Sequence, residues 1–567
     1  MATTFILQTS SNIPKCTSCQ RCDDTHIAIP DNTSSLCPST IQKCEACLRV
    51  AKMTTEVEEA AEKLKQLIEN LQRAKAEMNH QRSSVVKKLP AEILSTIFEF
   101  YTSDTLPPSS RLQDEIQFEV PQNNILRIPF LLSNICHRWR QVAFSTPQIW
   151  TTLTIFLDRC DGSPVEEDLI SAWISRTRNH PLTIHLHSSL NEDYETEFPE
   201  DFHLPVLQVL ASSSRQWRHF SARVPTYILD YLGTEAQDIP LIETVGIRLR
   251  APDVDEDGFI MHPLWKALTT MRVEYISTEE CVTLVSSTPN LVTCIFDDIR
   301  RRLDGGHTAS QRVVEHPNLQ HFAYESVESC DIFERLKLPG LRSLKCASRH
   351  DLIETWSTVL PDFFANSRME KLEVLRLPNT SFTSDQLNSL LSMAPALTQF
   401  TLVCIGGHGE VITGLLEHLA ETAGNTSSPG QLSPRGFLPN LTSIEFEIHD
   451  ACFPWENVAP CFPHVVVSDA NPKLPNTKEV VYRPLSTFKV IDSAPLPEEV
   501  YGEEWDWLIP GETLEDLIPL MQRGVEIVFE GHKGHDLFEH SMENAGMDLK
   551  NYASYLQGKG QLRSESN

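Results

Sequence analysis

The chain has 567 residues, 77 acidic against 48 basic side chains and a formal net charge of −29. That length exceeds a single core, so two or more domains are expected, and a strongly acidic surface argues against binding nucleic acid through the bulk of the protein. No apolar run reaches the ~18 residues of a membrane span, so no membrane partner is expected.

Residues 1–53 read as a cysteine-rich flexible tail. Met1 to Ser11 lacks a basic region followed by a long apolar stretch, so no secretory signal is read there. Fifteen cysteines without an export signal point to free thiols or metal ligands in a reducing compartment, cytosol or nucleus. Cys16-x-x-Cys19-x-x-Cys22 is followed by Cys37 and Cys44-x-x-Cys47. Two Cys-x-x-Cys turns suit tetrahedral zinc, and Cys16, Cys19, Cys44 and Cys47 are the candidate ligands of one structural site. A polar tail whose cysteines hold nothing stays open beside it. The 24 residues between the pairs exceed the spacing of a zinc ribbon.

Residues 54–86 fit seven-residue phasing. Val57, Leu64, Leu71, Met78 and Val85 fall at a, and Ala60, Leu67, Ala74 and Gln81 at d. Thr54 or Thr55 is the expected cap, with Glu58 and Glu59 near the positive helix end. A short coiled-coil homodimer and a single helix leaning on the following module both satisfy this pattern.

Residues 87–152 read as a small helical module. Pro90 suits a first helical turn. Ile93, Leu94, Ile97, Phe98 and Tyr101 then share one helical face, and Leu131, Leu132, Ile135, Trp139 and Val142 form the apolar side of a second helix. A polar insertion at 102–129, containing Pro107 and Pro108, separates them. In order, Leu89-Pro90, Glu92, Ile93-Leu94, Ile97-Phe98, Cys136-x-x-Trp139-Arg140 and Pro147-x-x-Trp150 resemble an F-box, and the chain looks like the F-box proteins expanded in mushroom-forming fungi. The resemblance implies docking of a Skp-type adaptor, and through it a cullin ubiquitin ligase. It assigns that contact to Leu89, Pro90, Ile93, Leu94, Ile97, Phe98, Trp139 and Trp150, although the two Trp could instead hold the bundle together. The insertion is longer than a compact F-box carries.

Residues 153–545 repeat the pattern apolar-x-x-apolar-x-apolar. It occurs at Trp217/Phe220/Ala222, Ile242/Val245/Ile247, Leu268/Met271/Val273, Leu291/Cys294/Phe296, Leu319/Phe322/Tyr324, Leu341/Leu344/Cys346, Leu372/Leu375/Leu377, Leu397/Phe400/Leu402, Leu441/Ile444/Phe446 and Leu485/Phe488/Val490. Most copies start 22–31 residues apart, with two intervals of 44. Pro289, Pro317, Pro339, Pro395 and Pro439 each stand two residues ahead of a copy's leading Leu, where Pro ends the preceding helix and resets the chain before the strand. This resembles an irregular leucine-rich-repeat array, with Asn379 in the turn-forming slot of the best copy. The alternative is an ordinary α/β domain. In a solenoid, outward strand residues such as Glu373 and Arg376 would meet a ligand. Leu514 to Phe529 reads as a terminal cap, and residues 546–567 as a disordered tail.

The expected fold is therefore α/β: an N-terminal helix and a small α-helical F-box, followed by the irregular solenoid. No phosphate loop, nucleophile elbow or His-Glu-x-x-His helix occurs. His185 and His187 share one side of a strand, where solvent-facing histidines are the expected reading over a metal pair. The expectation is a non-catalytic receptor without a cofactor, linking a target protein to a ubiquitin ligase. A coiled-coil scaffold without ubiquitin transfer, and a zinc or thiol enzyme, are the rivals.

Overall fold

The computed structural model describes residues 45–82, 89–103, 128–157, 164–188, 204–236, 239–249, 265–300, 313–326, 330–348, 356–379, 382–405, 409–426, 436–449, 453–463, 480–492, 508–531 and 534–547. The chain divides into two units, Met1–Leu89 and Pro90–Asn567. Both the helical module and the repeats expected as separate domains fall in the second unit. The tail to residue 44, most of the insertion, and residues from 548 onward lie outside the described residues.

In the first unit, α1 spans Glu45–Arg82. It starts ahead of the expected Thr54. Thr54 and Thr55 are not caps: they sit inside the helix, their hydroxyls donating to the Val50 and Ala51 carbonyls at 3.0 Å each. Pairs one turn apart, Arg49 with Glu45 and Lys52 with Glu56, support this earlier start.

The second unit opens with α2 (Ala91–Ser103), α3 (Ile128–Ile135), α4 (His137–Ser145) and a 3₁₀ turn at Pro147–Trp150. The expected single helix over 131–142 is two helices. Cys136 separates them with extended backbone, and its Sγ accepts from the Trp139 N–H at 3.4 Å. The Cys-x-x-Trp spacing is thus a helix cap.

The repeats follow as β1 (Thr152–Phe156), α5 (Pro164–Arg176), β2 (Leu182–His187), α6 (Leu204–Ser212), β3 (Trp217–Val224), α7 (Thr226–Glu235), β4 (Thr244–Leu249), β5 (Thr270–Glu274), α8 (Thr278–Ser287), β6 (Thr293–Ile299), β7 (Val314–Glu315), β8 (His321–Ser326), α9 (Ile332–Arg335), β9 (Leu336–Lys337), β10 (Ser343–Ser348), α10 (Trp356–Ser367), β11 (Val374–Asn379), α11 (Ser384–Ser392), β12 (Gln399–Ile405), α12 (Gly409–Glu421), β13 (Gly424–Thr426), β14 (Ser443–His449), β15 (Val480–Tyr482), β16 (Thr487–Asp492), α13 (Gly511–Gln522), β17 (Glu526–Glu530) and α14 (Leu537–Asn544). Among the described residues, thirteen strands form one sheet in chain order, and β7–β9 and β13–β15 pair separately. Adjacent strands of the large sheet are parallel throughout, as in β11–β12 and β14–β16.

Strict chain order separates this sheet from a doubly wound one, where strand order reverses. Burial agrees. Strands such as β8 and β14 alternate buried and half-exposed residues. A sheet covered by helices on both faces would bury both sets. The architecture is a mixed α/β stack with solenoid-like repeats, not the ordinary α/β domain. All ten expected triplets are buried, none of their side chains being more than 5% exposed. The array also extends beyond them, through β1 and β2 at one end and β17 at the other.

Neighbouring repeats are tied by the residue that precedes each strand. The Glu243 carbonyl accepts from the backbone N–H groups of Thr269 and Thr270, and Thr269 O accepts from Val292 and Thr293. Val292, Gln320, Arg342, Glu373, Thr398 and Thr442 carry the same forked bond onward. The Pro-Asn-Leu turns add a second tie. The Asn290 amide donates to Lys266 O at 2.7 Å, Asn318 to Pro289 O at 2.9 Å, and Asn440 to Pro395 O at 3.0 Å. At Gly340 the turns press closer, and a Cβ there would lie 2.2 Å from the Pro317 carbonyl oxygen.

The longer intervals add a further device. Arg483 is 4% exposed. Its guanidinium donates to the carbonyls of Leu419 (2.8 Å), Leu438 (3.1 Å) and Phe437 (2.7 Å) and to the Thr422 hydroxyl (2.9 Å). These bonds join the end of α12 to the turn before β14. Burial lowers its pKa to about 10, which still leaves it charged at neutral pH.

Replacing Gly340 by Ala should destabilise the array by about 2–3 kcal/mol through overpacking against backbone. Asn318→Ala should cost about 1 kcal/mol, one hydrogen bond. Denaturant midpoints at constant slope measure both.

Candidate protein-docking face

The helical module divides the apolar residues of α2 into two groups. Leu94 and Phe98 are 1% and 0% exposed, whereas Ile93 is 48%, Ile97 45%, Phe100 66% and Tyr101 52% exposed. Spacings of four, three and one place the exposed four along one stripe, about 100° wide. Pro90 immediately precedes α2, and its carbonyl accepts the Leu94 N–H at 3.2 Å. Pro90 itself is exposed and Leu89 partly so. The Ser95 and Thr146 hydroxyls, 2.8 Å apart, fix the helix's inner side against the end of α4. On α3, Leu131 and Ile135 are each 54% exposed.

Three of the expected contact residues, Leu94, Phe98 and Trp150, are buried in the unit's own interior. Phe98 packs against Trp139 with ring centroids 4.9 Å apart. Trp139 is only partly exposed, with its indole nitrogen buried. Trp150 is 0% exposed, and its Nε1 donates to Ala143 O at 2.8 Å. The Trp173 indole donates to Trp150 O at 2.7 Å, and the two ring centroids lie 4.8 Å apart. Arg176 lies over both Phe144 and Trp150, at 4.4 and 4.7 Å from their centroids. Trp150 also leads a repeat triplet, being followed by the buried Leu153 and Ile155. The closing residue of the helical module is the first residue of the array.

The half-exposed face of the sheet carries ionic clusters. Arg248 bonds Glu274 at 3.2 Å, Arg272 bonds Glu274 at 3.1 Å, and Arg272 bonds Asp297 at 2.8 Å. The guanidinium groups of Arg248 and Arg300 both lie over the Tyr275 ring. Burial raises the Glu274 and Asp297 carboxyls above their ordinary range, opposed by Arg272. Further along, Arg376 grips Glu447 with two nitrogens, and Arg342 pairs with Glu373. The two outward residues expected from sequence, Glu373 and Arg376, are therefore both ion-paired. The sequence pattern gave no sign of the Arg248–Glu274–Arg272–Asp297 chain, whose members come from three repeats.

His187 is not solvent-facing, and His185 is half-buried. His187 is 4% exposed and stacks on Phe156 at 5.6 Å, with the His185 ring 6.4 Å away. Burial, then the nearby His187 and His219, lower the His185 pKa to about 4.

Cys47 lies in α1, and Cys16, Cys19 and Cys44 fall outside the described residues. Among the described residues, no group of three or more His, Cys, Asp or Glu could hold a metal ion, and no helix is long and apolar enough to cross a membrane. Burial raises the thiol pKa of Cys281, Cys294, Cys346 and Cys461, the wrong direction for a nucleophile.

Phe98→Ala should cost about 3–5 kcal/mol of stability, while Ile97→Ala should stay within about 0.5 kcal/mol; thermal unfolding distinguishes them. The depressed His185 pKa favours the neutral ring in the folded state. Its contribution is complete above pH 6.5, falls as the unfolded chain protonates, and is gone near pH 4. His185→Asn should flatten the pH dependence of the unfolding free energy across that window.

No family model matches this sequence, and no curated protein is significantly similar to it. A solved structure that resembles it is the Rad7 and Elc1 complex in yeast, at 9% identity over 78% of this chain and 96% of that one, with a TM-score of 0.28. A likeness of that size decides nothing about fold or function.

Proposed function

We propose that this chain is a non-catalytic receptor subunit of a ubiquitin ligase. Its helical module is an F-box that docks a Skp-type adaptor and, through it, a cullin. The degenerate leucine-rich repeats hold the target on their half-exposed face. Transfer is then accelerated by proximity, because target and charged enzyme share one assembly.

The supporting observation is the stripe Ile93, Ile97, Phe100 and Tyr101, left uncovered on the back of a helix whose other side is packed at Leu94 and Phe98. It falls within the residues that resemble an F-box. Contact therefore rests on Pro90, Ile93 and Ile97, with Leu89 beside them, while Leu94, Phe98 and Trp150 shape the helix that presents them. Cytosol or nucleus is the compartment this role requires.

The test is co-purification of purified chain with a Skp-type adaptor and a cullin. Ile93→Asp/Ile97→Asp should lose both at least tenfold in affinity, with the circular dichroism and melting of the array unchanged. Partners that persist on the variant are candidate targets. Undiminished adaptor binding by the variant, or none by the wild type, sinks the reading. Adaptor binding without cullin recruitment favours a scaffold that transfers no ubiquitin.

A further inference from the structure

We propose that α1 is a dimerisation element, which pairs in parallel and in register with α1 of a second copy of this chain. The inference stands on the first unit alone and does not depend on the receptor reading.

Every described side chain of α1 from Glu45 to Met78 is exposed. The exposed apolar residues are not scattered. The helix begins at Glu45, which adds Val50 at a and Met53 at d to the phasing set by Val57, Leu64, Leu71 and Met78. The seam then holds nine apolar positions: those six with Ala60, Leu67 and Ala74. Its larger members are 42–64% exposed, from Met78 at one extreme to Val50 at the other. The opposite side carries Glu58, Glu59, Glu62, Lys65, Glu69 and Arg73. A helix in water draws most of its stability from covering such a seam, and a seven-residue repeat fits another helix of the same repeat.

Length and residue types point to a second copy. At ~1.5 Å per residue, 38 residues span about 57 Å. Nine seam positions on each of two helices bury on the order of 1,600 Å², the area of a standard specific interface. The small Ala60 and Ala74 at d let two helices approach closely along the seam.

Flanking charges select the orientation. In a parallel pair, each g residue meets the e residue five positions on in its partner. Those contacts are Arg49 with Thr54, Glu56 with Ala61, Lys63 with Ile68, and Asn70 with Lys75. None is a like-charge pair, and the Lys63 stem lies along Ile68, itself 47% exposed. The antiparallel register that sets Leu64 against Leu67 and Val57 against Ala74 brings the two g flanks together, and Glu56 then meets Glu77 twice along that one side, which is unfavourable. Two copies joined this way carry two arrays, so a target with two binding segments is held by both at once.

Light scattering on the full-length chain at micromolar concentration should give twice the mass of one chain. Leu64→Lys/Leu71→Lys should halve it, while the melting of the array stays in place. Glu62→Lys/Glu69→Lys, on the opposite side, should leave it doubled. A single-chain mass for the wild type, or a mass above two chains, overturns the proposal. A photo-crosslinking residue placed at Val57 reads orientation in a mixture of isotope-labelled and unlabelled chains. A link to the partner's peptide around residue 57 supports the parallel pair. A link near Ala74 of the other copy overturns the orientation, and a link into Pro90–Asn567 of the same chain overturns the pairing itself.

Discussion

The array depends on one carbonyl per repeat. The residue before each strand offers its oxygen to two successive N–H groups of the next repeat, from Glu243 through Thr442. That forked bond sets where a strand begins, and with it the phase of everything that follows. Because side chains alternate along a strand, a slip of one residue would turn both strand members of a triplet toward water. The intervals between strands vary greatly, yet the sheet keeps its register, because the anchoring residue is counted from the strand and not from the preceding helix.

Different segments meet this constraint by different chemistry. Intervals of both lengths use the asparagine after a proline, reaching to the previous turn. At Gly340 the turns sit so near that no side chain fits between them. Where the interval doubles, between β14 and β16, backbone carbonyls at the end of α12 and before β14 converge on Arg483 as well. A cation surrounded by carbonyl dipoles has no carboxylate to compete for, and its fork can reach several oxygens at once.

Much of this was legible in the sequence, for a physical reason. Alternation with a leading apolar residue is a direct imprint of a strand with one covered face, so the ten triplets from Trp217 to Val490 can be read without a structure. β1 carries the same imprint as Trp150, Leu153 and Ile155, but the Pro-x-x-Trp motif claims Trp150 for the helices and hides the first repeat. The candidate docking stripe was legible only as a set. Ile93, Leu94, Ile97, Phe98 and Tyr101 cover a wide arc, and nothing in their spacing tells which half faces inward. The start of α1 was missed because Thr54 and Thr55 look like caps, whereas threonine within a helix can bond back to the preceding turn. The ionic chain from Arg248 to Asp297 was invisible because its members are distant in sequence and meet only through strand register.

Trp150 belongs to two structures at once. Its ring closes the helical module, its carbonyl receives the Trp173 indole from the first crossover helix, and it leads the first triplet of the sheet. Among the described residues 128–157 no linker separates the last helical turn from the first strand, so the two parts meet without a hinge there. On the proposed reading, a partner held by the helices is set at a constant bearing to a target held by the sheet. Such an arrangement would choose among attachment points on a cargo by reach and angle alone, and residues in either part could alter that choice only by bending the joint between them.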